Sequence, residues 1–314
     1  MENILKKFNL NKFKRKLNLL TDEYIDEAIS AYHTDQHISK VITMISRLMD
    51  CYISRSFYLN ADITIVRARE NCQNPPRQFD RISELWYPKP SLITQEGRVN
   101  RVNSPIFYAA FNKYVALMEI TSPLQTKKYD GFSSFLYLKL KNNSKVKVAN
   151  LYDDIHNHTL CKHSKYLIAQ NSNYSDEFYS DFTEQEIRKI IRVKKFLSFV
   201  ISDKIYDNMI GSKSKNTYGY KITNLIGNRI FDNFDADAII YPSINSNYGG
   251  PSIAIKPDII DNKFVPYKVE VDKYYYPMLI NKSSKSFIKS ITVLTSKIFL
   301  KDFIQYTKLS EYFE

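Results

Sequence analysis

The chain has seven glycines in 314 residues, and that scarcity limits what it can fold into more than any other feature. Neither G-x-G-x-x-G nor G-x-x-x-x-G-K-[ST] is present. The glycine loops that let a backbone close around phosphates in Rossmann-type and P-loop proteins are therefore excluded. If such a chain binds a nucleotide, arginines must hold the phosphates, because a guanidinium fork meets phosphate oxygens two at a time. Arg67 and Arg98 are the candidates.

Hydrophobic spacing gives the elements. Thr21 opens a helical pattern that runs to about Tyr32, and Ile38, Val41, Ile42, Ile45, Leu48, Met49 and Tyr52 recur at helical spacing in a second. Residues 1–58 are read as a helical extension. Ala61 to Arg69 alternates as a strand, with Arg67 on the same face as Ile63 and Ile65. An inward arginine needs an anionic partner; taken alone, a structural ion pair is the simpler choice over a ligand. Pro75, Pro76, Pro88 and Pro90 make the segment up to Thr94 largely loop. FSSFLYLKLK from Phe132 reads as a strand or short helix. A helical pattern from about Asp176 to Ser202 has the capping box TEQE, Thr183 to Glu186, at its centre. A helix from about Tyr218 to Phe231, the runs ADAIIYPSI and SIAIKP, further strands, and a last helix near Phe303 complete the pattern. No linker divides the chain.

A net charge of +12 admits nucleic acid, a membrane surface or a phosphorylated small molecule. The basic residues are spread out, however, and the one dense run, Lys6 to Lys16, reads as a solvated helix face or frayed terminus rather than a nucleic-acid arm. Cys51, Cys72 and Cys161 form no disulfide framework, which fits a reducing cytoplasm. No apolar run approaches the ~20 residues of a membrane span. The cluster His156, His158, Cys161 and His163 has zinc-like ligands in too compact a spacing, and reads as a polar surface loop with zinc the lesser alternative. No metal site is expected.

The stretch from Gly97 to Ile120 puts Arg98 and Asn100 in a loop, Tyr108 in an apolar run, and Glu119 at the end of a second apolar run. Arg67 in IVRAR, the G-R-x-N of Gly97 to Asn100, Tyr108 ten residues past Arg98, Glu119 eleven past Tyr108, and the YPS of Tyr241 to Ser243 before SIAIKP together resemble the RES domain, in order and spacing. The resemblance runs from about Ile63 to Pro257. Asn103 stands where many members have glycine, and the interval from Glu119 to Ser243 is long for the family.

The resemblance implies an α+β fold with an ADP-ribosyltransferase-like mixed sheet over 59–314, a helical insertion at about 150–232, and a cleft for NAD. Members are mostly bacterial toxins of toxin–antitoxin pairs that destroy NAD by hydrolysis or phosphorolysis, while some transfer ADP-ribose to a protein; ADP-ribosylation of a protein or nucleic acid is the alternative within the same chemistry. By resemblance, Arg67 and Arg98 hold the pyrophosphate, Asn100 belongs to the same binding set, and Tyr108 lines the nicotinamide side. Glu119 stabilises the ribosyl cation and Ser243 hydrogen-bonds substrate or orients one of these groups. The catalytic set is thus Glu119, Arg98, Tyr108 and Ser243. NAD is a substrate, so no cofactor is expected. The partners implied are a cognate antitoxin and, as a further option, a second copy of the chain. A basic binding protein that keeps the fold without activity is the alternative from another class.

Overall fold

In the computed structural model, which describes residues 9–34, 37–52, 56–59, 61–71, 79–121, 131–151, 181–202, 214–243, 250–275, 289–300 and 303–308, the helical spacing of the first segment becomes three helices. They are α1 (Leu10–Asn18), α2 (Asp22–Thr34) and α3 (Ile38–Met49). Asn9 and Thr21 begin the first two: their side-chain oxygens accept from Lys12 N at 2.8 Å and Tyr24 N at 3.2 Å, satisfying amides that a helix start leaves open. The remaining elements are β1 (Ser56–Tyr58), β2 (Thr64–Asn71), β3 (Phe107–Ala110), α4 (Lys113–Thr121), β4 (Gly131–Leu140), β5 (Lys147–Asn150), α5 (Glu184–Ser202), α6 (Ser214–Phe234), β6 (Ala238–Pro242), β7 (Pro251–Ile255), α7 (Pro257–Lys263), β8 (Phe264–Tyr275), β9 (Lys289–Leu300) and β10 (Phe303–Lys308).

The fold is α+β, and the chain divides into two units. One unit comprises Met1–Leu59, Ile93–Ser104 and Lys147–Tyr241. In it α1, α2, α3, α5 and α6 pack together, so the N-terminal helices and the two long helices ahead of Ser243 build one body. Leu17, Ile25, Ile45, Leu48, Ile190, Val193, Leu197, Ile226 and Ile230 are wholly buried there. Tyr32 meets Phe196 edge-on at 5.7 Å, and Arg192 of α5 bonds Asp22 and Asp26 of α2. The strands of this unit run β1-β5-β6, the first pair antiparallel and the second parallel. The TEQE box starts α5 instead of lying at a helix centre: Glu186 N donates to Thr183 Oγ1 and Thr183 N to Glu186 Oε2, the reciprocal pair that stops a helix from extending backwards.

The second unit comprises Asn60–Leu92, Pro105–Val146 and Pro242–Glu314. Its strand order is β7-β3-β2-β4-β8-β9-β10, and every described pairing between these strands is antiparallel. β2 pairs with β4 along its whole length, from Thr64↔Lys139 to Asn71↔Phe132. By contrast β2 meets β3 at one pair, Val66↔Ala110. Helix α4 lies on one face, where Val115, Ala116 and Leu117 pack with Val66, Ala110 and Phe135. The helix expected near Phe303 is instead β10, antiparallel to β9; Phe303, Ile304, Tyr306 and Thr307 suit a pleated surface, and pairing with β9 decides between the two. Among the described residues no helix is long and apolar enough to cross a membrane.

A charged network lies on the α4 face. Lys113 Nζ donates to Glu270 Oε2 and Asp272 Oδ1 of β8, both at 2.7 Å. Tyr137 OH donates to Glu270 Oε2 at 2.6 Å, and Lys268 pairs with Glu270 Oε1. Burial alone would raise the Glu270 carboxyl, but the donors Lys113, Lys268 and Tyr137 outweigh it and hold the group below its ordinary value. A carboxyl lower in the folded than in the unfolded state adds stability above the unfolded value, about 4.3 for Glu, and loses it as pH falls through the folded value. Thermal melts should therefore show Tm falling as the pH drops below about 5, and Glu270→Gln should flatten that fall. Equal slopes in the two proteins would remove Glu270 from the acid response.

Candidate functional site

In the sheet unit, Arg67 sits where the β2–β3 ladder stops. Its Nη1 donates to the Tyr108 carbonyl at 3.0 Å, and its guanidinium lies 5.1 Å from the centre of the Phe107 ring. A side chain thus joins the strands where backbone amides no longer do. The structural ion pair expected for Arg67 is not there: among the described residues no carboxylate pairs with it, and its covered Nε has no hydrogen-bond partner. Burial and the like charge of Arg69 bring its pKa down to about 10, which leaves it cationic at neutral pH. The Trp86 ring is tilted against Phe107, 5.2 Å between centres. Trp86 and Tyr87 are held in turn by Asp261, at 2.7 and 2.6 Å.

Glu119 is on α4, in a segment that becomes a helix because Asn112 caps it: Asn112 Oδ1 accepts from Val115 N at 2.8 Å. The Glu119 Oε1 accepts from Ser252 Oγ of β7 at 3.2 Å. Ser252 is paired with Ala110, and Tyr108 with Ala254. Successive strand side chains alternate between faces, so Tyr108, Ala110 and Ser252 share the α4 face with Glu119. Arg67 and Phe107 belong to the opposite face. Tyr108 is common to both arrangements: its carbonyl holds Arg67, and its partly exposed side chain is on the face of the carboxylate. Ser243 is buried, its N–H donating to the Gly250 carbonyl at 3.1 Å.

Arg98 and Asn100 belong to the helical unit. The Gly97 N–H donates to the Asn100 carbonyl at 3.0 Å, which closes a tight turn, and Asn224 Nδ2 of α6 donates to the same carbonyl. A Cβ on Gly97 would lie 2.1 Å from Asn100 Oδ1, so a larger residue there would turn the Asn100 amide aside. Arg98 projects from this turn. Its Nη1 donates to the Ile201 carbonyl at 3.0 Å, at the end of α5 where the helix field favours a cation, and its guanidinium lies 5.5 Å from the Tyr241 ring centre. Asn103 has φ 58. Asparagine is the ordinary residue that tolerates this left-handed conformation best after glycine.

Among the described residues no group of three His, Cys, Asp or Glu is placed to hold a metal; residues 156–163 lie outside them. Sequence spacing did not reveal Ser252 as the partner of Glu119, although it opens the SIAIKP run. Nor did it reveal Lys113, whose partners are more than 150 positions away.

No protein-family model matches the chain, and no curated protein does. Among solved structures it is similar to a chain of the M. tuberculosis MbcT–MbcA toxin–antitoxin complex, with a TM-score of 0.32 and 10% identity over 67% of this chain and 80% of that one. A likeness that low establishes neither a family nor an activity for this chain.

The Asn103 geometry makes a direct prediction. Asn103→Gly should keep or raise Tm, whereas Asn103→Val should cost about 1–2 kcal/mol for forcing a branched side chain to positive φ. Denaturant unfolding measures both, and equal stability of the two variants would overturn the left-handed assignment.

Proposed function

We propose that the chain consumes NAD, breaking the nicotinamide–ribosyl bond and passing the ADP-ribosyl group to water or phosphate. One observation carries this reading: Arg67 keeps a half-buried cation between β2 and β3, with its covered Nε unmet and no carboxylate beside it among the described residues. A covered donor left unmet costs about 1–3 kcal/mol, and an anionic ligand that met it would remove that cost.

NAD carries an anionic pyrophosphate in its middle and a cationic nicotinamide ring at one end, the two charges that Arg67 and Glu119 would each attract. Breaking the glycosidic bond builds positive charge on the ribose carbon and ring oxygen. A fixed carboxylate then favours the transition state, where that charge develops beside it. Nicotinamide leaves neutral and needs no general acid, so one carboxylate suffices where ordinary glycosidases use two. The parts of Arg98 and Asn100 in holding phosphate, and of Ser243 in orienting groups, rest on the resemblance to RES domains. So does a role as a bacterial toxin with a cognate antitoxin.

Purified protein incubated with NAD should release nicotinamide, and Glu119→Ala should slow release on the order of a hundredfold. No release by the wild type, with or without phosphate, would falsify the enzymatic reading. Arg67→Met, made in the Glu119→Ala background so that NAD survives, should leave the unliganded Tm unchanged or higher. It should weaken NAD about tenfold or more, the size of a lost charge-assisted contact. A lower Tm with NAD binding intact would make Arg67 a structural residue instead.

A further inference from the structure

We infer that Lys113 is a positioning residue for Glu119, acting through α4; the inference rests on the proposed role of Glu119. Helix α4 has nine residues, too few to persist by itself, so its contacts fix where it lies. Its two charged groups sit at the wrong ends for a helix. Lys113 is its first residue, where the N-terminal field repels a cation, and Glu119 is in its last turn, where the C-terminal field repels an anion. There is no acidic residue in the first turn and no basic one in the last to offset either. A local rule broken twice in one short helix points to tasks outside the helix.

Each group is tied to a different strand. Lys113 bonds Glu270 and Asp272 of β8, while Glu119 takes the Ser252 hydroxyl of β7. In the order β7-β3-β2-β4-β8 those strands are four places apart, on either side of the thin β2–β3 joint. Between the ties, Val115, Ala116 and Leu117 are buried against Val66, Ala110 and Phe135. Asp272 is 1% exposed and its partner lysine 27%, so the tie is covered and little screened by salt. Helix α4 is therefore a brace across the sheet, and Lys113 sets the end from which the place of Glu119 is measured. Displacing a reacting group by about 1 Å can cost a hundredfold in rate.

The test uses the full chain with Lys113→Met, Lys113→Arg and, as a size-conserving alternative if the methionine variant does not fold, Asp272→Asn. With NAD as substrate, Lys113→Met or Asp272→Asn should lower kcat about tenfold or more with KM within about twofold, and Lys113→Arg should recover most of it. Amide hydrogen exchange over residues 113–121 should quicken in the methionine variant and return towards wild type in the arginine variant. Unchanged kcat, or a lost kcat that arginine does not restore, overturns the positioning role while leaving NAD cleavage intact. If the wild type itself releases no nicotinamide, the activity reading fails, and exchange alone decides on the brace: faster exchange confined to 113–121 supports it, unchanged exchange ends it.

Discussion

The sheet unit hangs on the thinnest of its joints. β2, β4 and β8 are bound by long continuous ladders, and β3 and β7 by another, but the two groups share the single pair Val66↔Ala110. Across that joint the Arg67 side chain reaches the Tyr108 carbonyl, and what braces it is the apolar packing of α4 on both groups with the ion pairs of Lys113 to β8. A sheet joined by side chains at one seam has fewer ladder hydrogen bonds there than a fully laddered sheet. The residues that hold the seam are also the ones with unmet or misplaced charge.

The loop of Gly97 to Asn100 follows a different logic. Each residue of its G-R-x-N pattern has a fold-making task in the helical unit: Gly97 leaves room for Asn100, Asn100 receives the Gly97 amide and Asn224, and Arg98 caps the end of α5. Val99, between them, packs so closely on α6 that a Cβ at Gly227 would lie 2.4 Å from its Cγ1. A pattern that looks like a ligand signature in sequence is thus also a packing signature, and the guanidinium, with five donors on one fork, can serve a helix end and still face outwards.

Much of the architecture was legible because it is local. Helix stripes at Ile45 and Leu48, the caps at Thr21 and Thr183, and the alternation around Arg67 are all set by neighbours a few residues away. What stayed hidden depends on distance along the chain. Ser252 and Lys113 find their partners across 133 and 157 residues, and no spacing rule reaches that far. Phe303 was misassigned as helical because a short aliphatic and aromatic run fits either period, and only the antiparallel neighbour β9 settles it. The inward direction of Arg67 was readable, but the lack of a carboxylate beside it was not, since that requires knowing every strand around it. For Asn103 the departure from glycine was plain in the sequence, and its φ of 58 is one that asparagine tolerates.

The misplaced charges of α4 have a consequence for whatever occupies the space beside Glu119. The backbone carbonyls at the end of this helix carry the equivalent of about half a negative charge, and the carboxylate adds a full one at the same pole. Within the protein alone these two repel. For a positive centre arriving there they act in concert, and the share supplied by the carbonyl dipoles does not depend on pH.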